Sequence, residues 1–345
     1  MVRYWKERIA IPKTAAQERM VFEDNRLVPL LYGEQNSHLR KIEDALPVEI
    51  QDRGNEIVIS GEAPAARQAR EVIETLWGQI LKGQEIDSQA VDSALRFLRE
   101  NGRKANGNQA PGDSAAALQD YSEPHGVIVT KKRKIQPRSP LQGKYIQALQ
   151  RSRMTFGVGP AGTGKTYLAV AMAVSMLEQG KVERIILTRP AVEAGERIGF
   201  LPGELKEKMD PYMRPLYDAL NDSMYGEKVQ KKLAAEEIEI APLAFMRGRT
   251  LNNAFIILDE AQNATQMQML MFLTRMGENS YMAITGDPTQ TDLPRGTPSG
   301  LVEALGILEG TEGIEFIQFG HKDVVRHPLV AKVIEAYHNR RKTDA

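Results

Sequence analysis

The chain has 345 residues, 42% of them apolar, with 45 basic and 45 acidic side chains and no cysteine. That length suits about two domains with cores of their own, and zero formal charge excludes a global field drawing the protein to nucleic acid or membrane. The missing thiol excludes disulfides, cysteine nucleophiles and Cys-ligated zinc, in keeping with a reducing compartment.

The opening MVRYWKERIAIPKT lacks the apolar core of a signal peptide. The longest apolar run, residues 167–177, falls short of the ~20 residues a membrane span needs. A soluble, cytoplasmic protein without membrane contact is expected. LVPLL (27–31) reads as a strand, followed by a turn at Gly33 and a helix capped by Asn36 or Ser37, with Leu39, Ile42 and Leu46 on one face. VEIQDRG (48–54) and NEIVISG (55–61) alternate as two strands around an Arg-Gly-Asn turn, a hairpin signature. Residues 63–83 form an amphipathic helix turning Val72, Ile73, Leu76 and Ile80 inward, and residues 87–100 another, capped by Asp87.

This order resembles a KH-type RNA-binding module, in which a GXXG loop clamps the nucleic-acid backbone. The corresponding loop is Gly33-Glu34-Gln35-Asn36, with no second glycine and an acid that repels phosphate. A protein-interaction domain of the same topology fits these residues equally well. Residues 1–100 are read as this small α/β domain, and residues 101–125, rich in Asn, Gly, Ala, Ser and Asp, as a flexible linker. The third segment, 126–345, opens with GVIVT (126–130) and KKRKIQPR (131–138), where a strand edge carrying five basic residues offers a nucleic-acid groove or a solvated surface.

GPAGTGKT (159–166) follows a short apolar strand, MTFGVG (154–159), and opens the apolar helix 165–180. This is the G-x-x-x-x-G-K-T phosphate loop, spanning Gly159, Pro160, Ala161, Gly162, Thr163, Gly164, Lys165 and Thr166. Its backbone amides and the helix N-terminus cradle phosphates, Lys165 reaches the β/γ oxygens, and the Thr166 hydroxyl ligates Mg²⁺. FIILDE (255–260) reads as a buried parallel strand delivering two carboxylates to its carboxyl edge. Asp259 is assigned to Mg²⁺ and Glu260 to orienting and polarising the attacking water. YMAITGD (281–287) is the next strand, and Gln290 after it is placed to bond a phosphoryl oxygen and the lytic water. Gln142, near the start of a helix leading into the phosphate-loop strand, carries an amide suited to adenine N6 and N7. The methionine-rich stripe of residues 265–276 is expected in the core, Tyr212 and Tyr217 in a packed helical insertion, and the five histidines show no metal spacing.

Together these stretches resemble the first ATPase lobe of superfamily 1 helicases: SPLQ (139–142), GPAGTGKT, ILTRPA (186–191), LDEAQ (258–262) and TGDPTQ (285–290) match successive motifs. Longer blocks at 189–220, 241–263 and 323–330 are similar to PhoH-family ATPases, whose longer type has a KH-like N-terminal domain. The resemblance implies an α/β P-loop NTPase of RecA-like parallel-sheet form flanked by helices. It also implies Mg²⁺-dependent ATP hydrolysis, a link to RNA metabolism, and an associated metal-dependent endoribonuclease of rRNA maturation. An ATP-driven assembly factor acting on a protein partner is the alternative. About sixty residues follow Gly286, too few for a second ATPase lobe. The missing γ-phosphate arginine is therefore expected from Arg326, in cis or from a neighbour in a homo-oligomeric ring guessed as a hexamer, with Arg247 and Arg249 next.

Overall fold

The computed structural model describes residues 16–84, 86–104, 126–190 and 205–325, and the chain divides into two compact units, Met1–Pro124 and His125–Ala345. In the first, β1 (Ala16–Val21), β2 (Val48–Arg53) and β3 (Glu56–Gly61) form an antiparallel sheet in the order β1-β3-β2. Gly54, at φ 67°, makes the expected hairpin turn. The helices are α1 (Val28–Tyr32), α2 (Ser37–Ala45), α3 (Ala63–Leu81) and α4 (Ser88–Lys104). Their apolar faces meet the sheet in one core, where Leu31, Ile42, Ile57, Ile59, Val72, Ile73 and Leu76 are fully buried.

Three local expectations fail here. LVPLL is helical, because Pro29 sits in the first helical turn, where its fixed φ suits a helix and its missing N–H is no loss. Asn36 precedes α2 in the left-handed region without capping it, and its Nδ2 donates to Asp52 Oδ1 across 3.0 Å. The helix begun at Ser88 runs on to Lys104, past the point where the composition turns linker-like. Asp87 does cap it, its Oδ1 accepting the Ala90 N–H at 2.7 Å. Strand β1, with its charged AQERMV, shows too little apolar alternation to be found by pattern.

The second unit starts with a small hairpin, β4 (Ile128–Val129) and β5 (Lys134–Ile135), then helix α5 (Pro140–Arg151). Six parallel strands follow: β6 (Met154–Val158), β7 (Arg184–Arg189), β8 (Ile238–Pro242), β9 (Ala254–Leu258), β10 (Tyr281–Gly286) and β11 (Ile314–Gln318). Their order is β11-β6-β10-β9-β7-β8, every neighbouring pair parallel. Both faces of the sheet are covered, and its central strand β9, AFIIL, is accordingly apolar and buried at every position. On β9, Phe255 and Ile257 join one core with α5, α6 (Lys165–Glu178), α7 (Leu205–Ser223) and α8 (Gly226–Ala234). Ala254, Ile256 and Leu258 join the other core, beneath α9 (Gln266–Leu273) and α10 (Gly300–Ile307). Helix α6 is buried from Leu168 to Leu177, which explains its membrane-like composition. No helix among the described residues is long and apolar enough to cross a membrane.

The methionine stripe only half meets its expectation. On α9, Met269 and Phe272 are buried, but Met267 is 84% and Leu270 66% exposed. Tyr212 and Tyr217 do pack against the core of α7.

Candidate nucleotide-binding site

Strand β10 lies between β6 and β9, so three loops leave the carboxyl edge side by side: the phosphate loop after β6, Asp259-Glu260 after β9, and Asp287 after β10. They line a pocket of about 740 Å³ whose walls include Lys165, Thr166, Asp259, Glu260, Asp287 and Gln290. The facing wall comes from α7 with Pro215, Asp218 and Asp222, and from Tyr167. Burial and Asp222 push the Tyr167 hydroxyl pKa up. A ligand site at this edge is what parallel α/β sheets favour.

The loop depends on its glycines. Gly159 has φ 134°, and a Cβ there would meet the Phe319 carbonyl oxygen at 2.4 Å. Gly162 and Gly164 stand at φ 85° and 83°, the latter directly before α6. The Lys165 ammonium is folded onto the loop, donating to Gly159 O at 2.7 Å and Pro160 O at 2.9 Å. Burial lowers its pKa, against the pull of Asp287, Glu260 and Asp259. Thr166 donates from Oγ1 to Asp259 Oδ1 at 2.5 Å, joining the two halves of the site.

Asp259 is the best-held acid in the pocket. It is 2% exposed, accepts from Thr285 Oγ1 at 2.6 Å as well as from Thr166, and takes two bonds on Oδ2 from the Arg189 guanidinium. Glu260 stands at φ 54° with an exposed side chain, and Gln262 Nε2 donates to its Oε2 at 2.6 Å. Gln262 Oε1 meanwhile accepts the Asp287 N–H at 3.0 Å, so one buried amide ties the β9 loop to the β10 loop. Arg189, Gln262 and Thr285 lie within the motif stretches, but nothing local in the sequence marks them as functional. Only the adjacency of their strands reveals what they do.

Gln142 differs from its expectation. Its side chain is buried, Nε2 donating to Thr163 O at 2.9 Å and Oε1 accepting from Arg138 N at 2.6 Å. Buried amides need partners, and both atoms of this one are taken by main chain. Gln142 braces the phosphate loop with both atoms of its amide engaged. Gln290 lines the pocket mouth with its side chain exposed and its N–H on Asp287 O. Arg249 is held by Glu239 through two bonds of 2.6 and 2.7 Å, outside the pocket lining, and lowers the Glu239 pKa. Arg247 is an exposed residue on the loop after β8. Arg326 lies outside the described residues. In the basic run, Arg133 pairs with Asp222 at 2.8 Å and Lys132 donates to Asn221 O, so part of that charge is spent on the end of α7.

A phosphate loop, a buried aspartate facing its threonine, and a parallel sheet delivering both define a P-loop NTPase fold. Residues 134–338 match the family described as "PhoH-like protein". The "PhoH-like protein" of Bacillus subtilis (strain 168) is 47% identical over 310 residues, covering 89% of this chain and 92% of its own. That of Mycobacterium tuberculosis (strain ATCC 25618 / H37Rv) is 46% identical over 311 residues, covering 90% and 85%. The chain belongs to the PhoH-like family. Among solved structures, the "Sulfolobus solfataricus SWI2/SNF2 ATPase core in complex with dsDNA" overlaps 48% of this chain and 34% of its own, at 15% identity and a TM-score of 0.30.

Proposed function

We propose that this chain hydrolyses ATP to ADP and phosphate with Mg²⁺ and couples the cycle to processing or remodelling of RNA. The observation that carries the enzymatic part is the convergence of Lys165, Thr166, Asp259 and Glu260 on one pocket edge. The Thr166 hydroxyl and Asp259 carboxylate, 2.5 Å apart, are hard oxygen donors that fit Mg²⁺, a cation that keeps several waters and shares its shell with phosphates. When bound, it would neutralise charge developing on the phosphoryl oxygens. The loop amides from Gly159 to Thr166 hold the phosphates, and Lys165 turns from the loop carbonyls to the β/γ oxygens. Glu260, steadied by Gln262, orients the attacking water and draws off its proton, with Gln290 closing over the γ-phosphate.

The RNA part rests on family membership and on the resemblance of the first unit to a KH module. A specific observation favours the second reading, an assembly factor acting on a protein partner. Glu34 sits in the loop where phosphate would be clamped, and two residues of the basic run are occupied by α7. We also propose a homo-oligomeric ring, a hexamer by its commonest form, in which Arg326 reaches a γ-phosphate. An endoribonuclease of rRNA maturation is the proposed protein associate. ATP turnover measured with and without single-stranded RNA separates the readings. Stimulation by RNA is expected; unchanged turnover with RNA, together with stimulation by the endoribonuclease, would favour the assembly factor.

A further inference from the structure

Arg189 ends β7, in register with the end of β9: Thr188 pairs with Leu258, and Thr188 O accepts the Asp259 N–H at 2.9 Å. Its side chain therefore arrives level with Asp259, inside the same pocket as Lys165, Glu260 and Gln290. Three of its N–H groups are engaged. Nε donates to Asp259 Oδ2 at 2.7 Å, Nη2 donates to the same oxygen, and Nη1 donates to Tyr212 O of α7 at 2.6 Å. The guanidinium thus covers one oxygen of the carboxylate assigned to Mg²⁺, while Thr166 and Thr285 hold the other.

With Mg²⁺ bound, two cations would compete for one carboxylate there. A divalent ion beside Asp259 would weaken the hold on the guanidinium, both by repulsion and by drawing away the charge that Oδ2 offers. Arginine remains charged at any working pH and matches phosphate oxygens with a rigid fork. The largest new negative charge in the pocket would be the γ-phosphate, bounded by Lys165, Glu260 and Gln290.

We propose that Arg189 is a γ-phosphate arginine supplied by the subunit itself, parked on Asp259 and transferred to the terminal phosphate when the Mg²⁺ complex of ATP is seated. The inference rests on the ATPase reading above. Because Nη1 is bound to α7, the transfer also carries the presence of the γ-phosphate to the helix that forms the far wall of the pocket. It adds a donor within the chain, whatever a neighbouring copy contributes through Arg326.

A purely structural ion pair is the plain rival, and nucleotide selectivity distinguishes the two. Fluorescent ADP and a fluorescent non-hydrolysable ATP analogue are titrated, with Mg²⁺, into wild type, Arg189→Ala and Arg189→Lys, with melting curves to verify folding. Arg189→Ala should lose roughly tenfold or more in affinity for the ATP analogue with ADP affinity unchanged, and turnover should fall by about 10³. Arg189→Lys keeps the charge without the fork and should fall between. Should Arg189→Ala fail to fold, Arg189→Gln, which retains N–H donors for Tyr212 O and Asp259, takes its place. Equal loss of ATP-analogue and ADP affinity, or no loss of either, overturns the inference while leaving the ATPase reading intact. A wild-type chain that binds neither nucleotide overturns both.

Discussion

Lys165 and Glu260 line one pocket, and the proposed mechanism gives them different stages, which substitution can separate. Lys165→Ala removes the phosphate loop's own cation and should reduce ATP affinity by at least about 10²-fold, worth ~3 kcal/mol. Glu260→Gln keeps Asp259, the loop and the Gln262 contact, so ATP should bind and persist unhydrolysed, with kcat down on the order of 10²–10⁴. Binding titrations beside single-turnover assays distinguish them, and equal loss of binding in both would remove the role given to Glu260. Burial lowers the Lys165 pKa, so between its folded and ordinary values the unfolded chain binds more protons and the nucleotide-free protein gains stability as pH rises. Phosphate binding needs the ammonium form, so ATP affinity should fall across that same window, which begins below the ordinary lysine range. Affinity that stays flat until the ordinary lysine range would contradict this.

At the scale of elements, the start of α5 shows how the edge of the site is held. Ser139 caps the helix, accepting the Gln142 N–H at 3.2 Å, and donates to Asp323 Oδ1 at 2.7 Å, with both side chains buried. Asp323 in turn accepts the Gly320 N–H at 2.9 Å, and Val325 N donates to Gly162 O at 2.8 Å. The segment after β11 is thereby stitched to the phosphate loop. Ser139→Ala removes a cap and strands a buried carboxylate oxygen, and should cost about 1–3 kcal/mol. Denaturant unfolding of the full chain measures this; a change under ~0.3 kcal/mol would mean water satisfies Asp323 equally well.

For the whole molecule, the cores of the two units are separate among the described residues: the first is built from Met20 to Leu98, the others from Ile128 to Phe319. Residues 126–345 alone should fold and retain basal ATP hydrolysis, while stimulation by RNA or a protein partner falls. Aggregation of that fragment, checked by size-exclusion chromatography, would show that the units depend on each other. The ring carries its own test. Mixing Arg326→Ala with Glu260→Gln subunits should partly restore turnover if Arg326 acts in trans, because some interfaces then pair an intact Glu260 with an intact Arg326. A fully active monomer at every concentration would end the ring proposal.

Much of this protein is legible from residues alone, and the reason is local chemistry. The phosphate loop is contiguous, its glycines are demanded by backbone geometry, and a strand buried on both faces writes itself as an unbroken apolar run such as FIIL. Lys165, Thr166, Asp259 and Glu260 are therefore readable as candidates from local sequence, and the fold brings all four to one pocket. What followed local pattern alone went astray where the third dimension decides. Pro29 made a helix of an expected strand, β1 gained its place only by pairing with β3, and Met267 and Leu270 face outward from α9. Gln142 turned its amide to main chain because burial demanded partners there. The adjacency of β7 to β9, and of β10 between β6 and β9, has no trace in any single stretch of sequence. Only that order brings Arg189 onto Asp259 and Gln262 between two loops, because contacts across a parallel sheet join residues separated by dozens of positions.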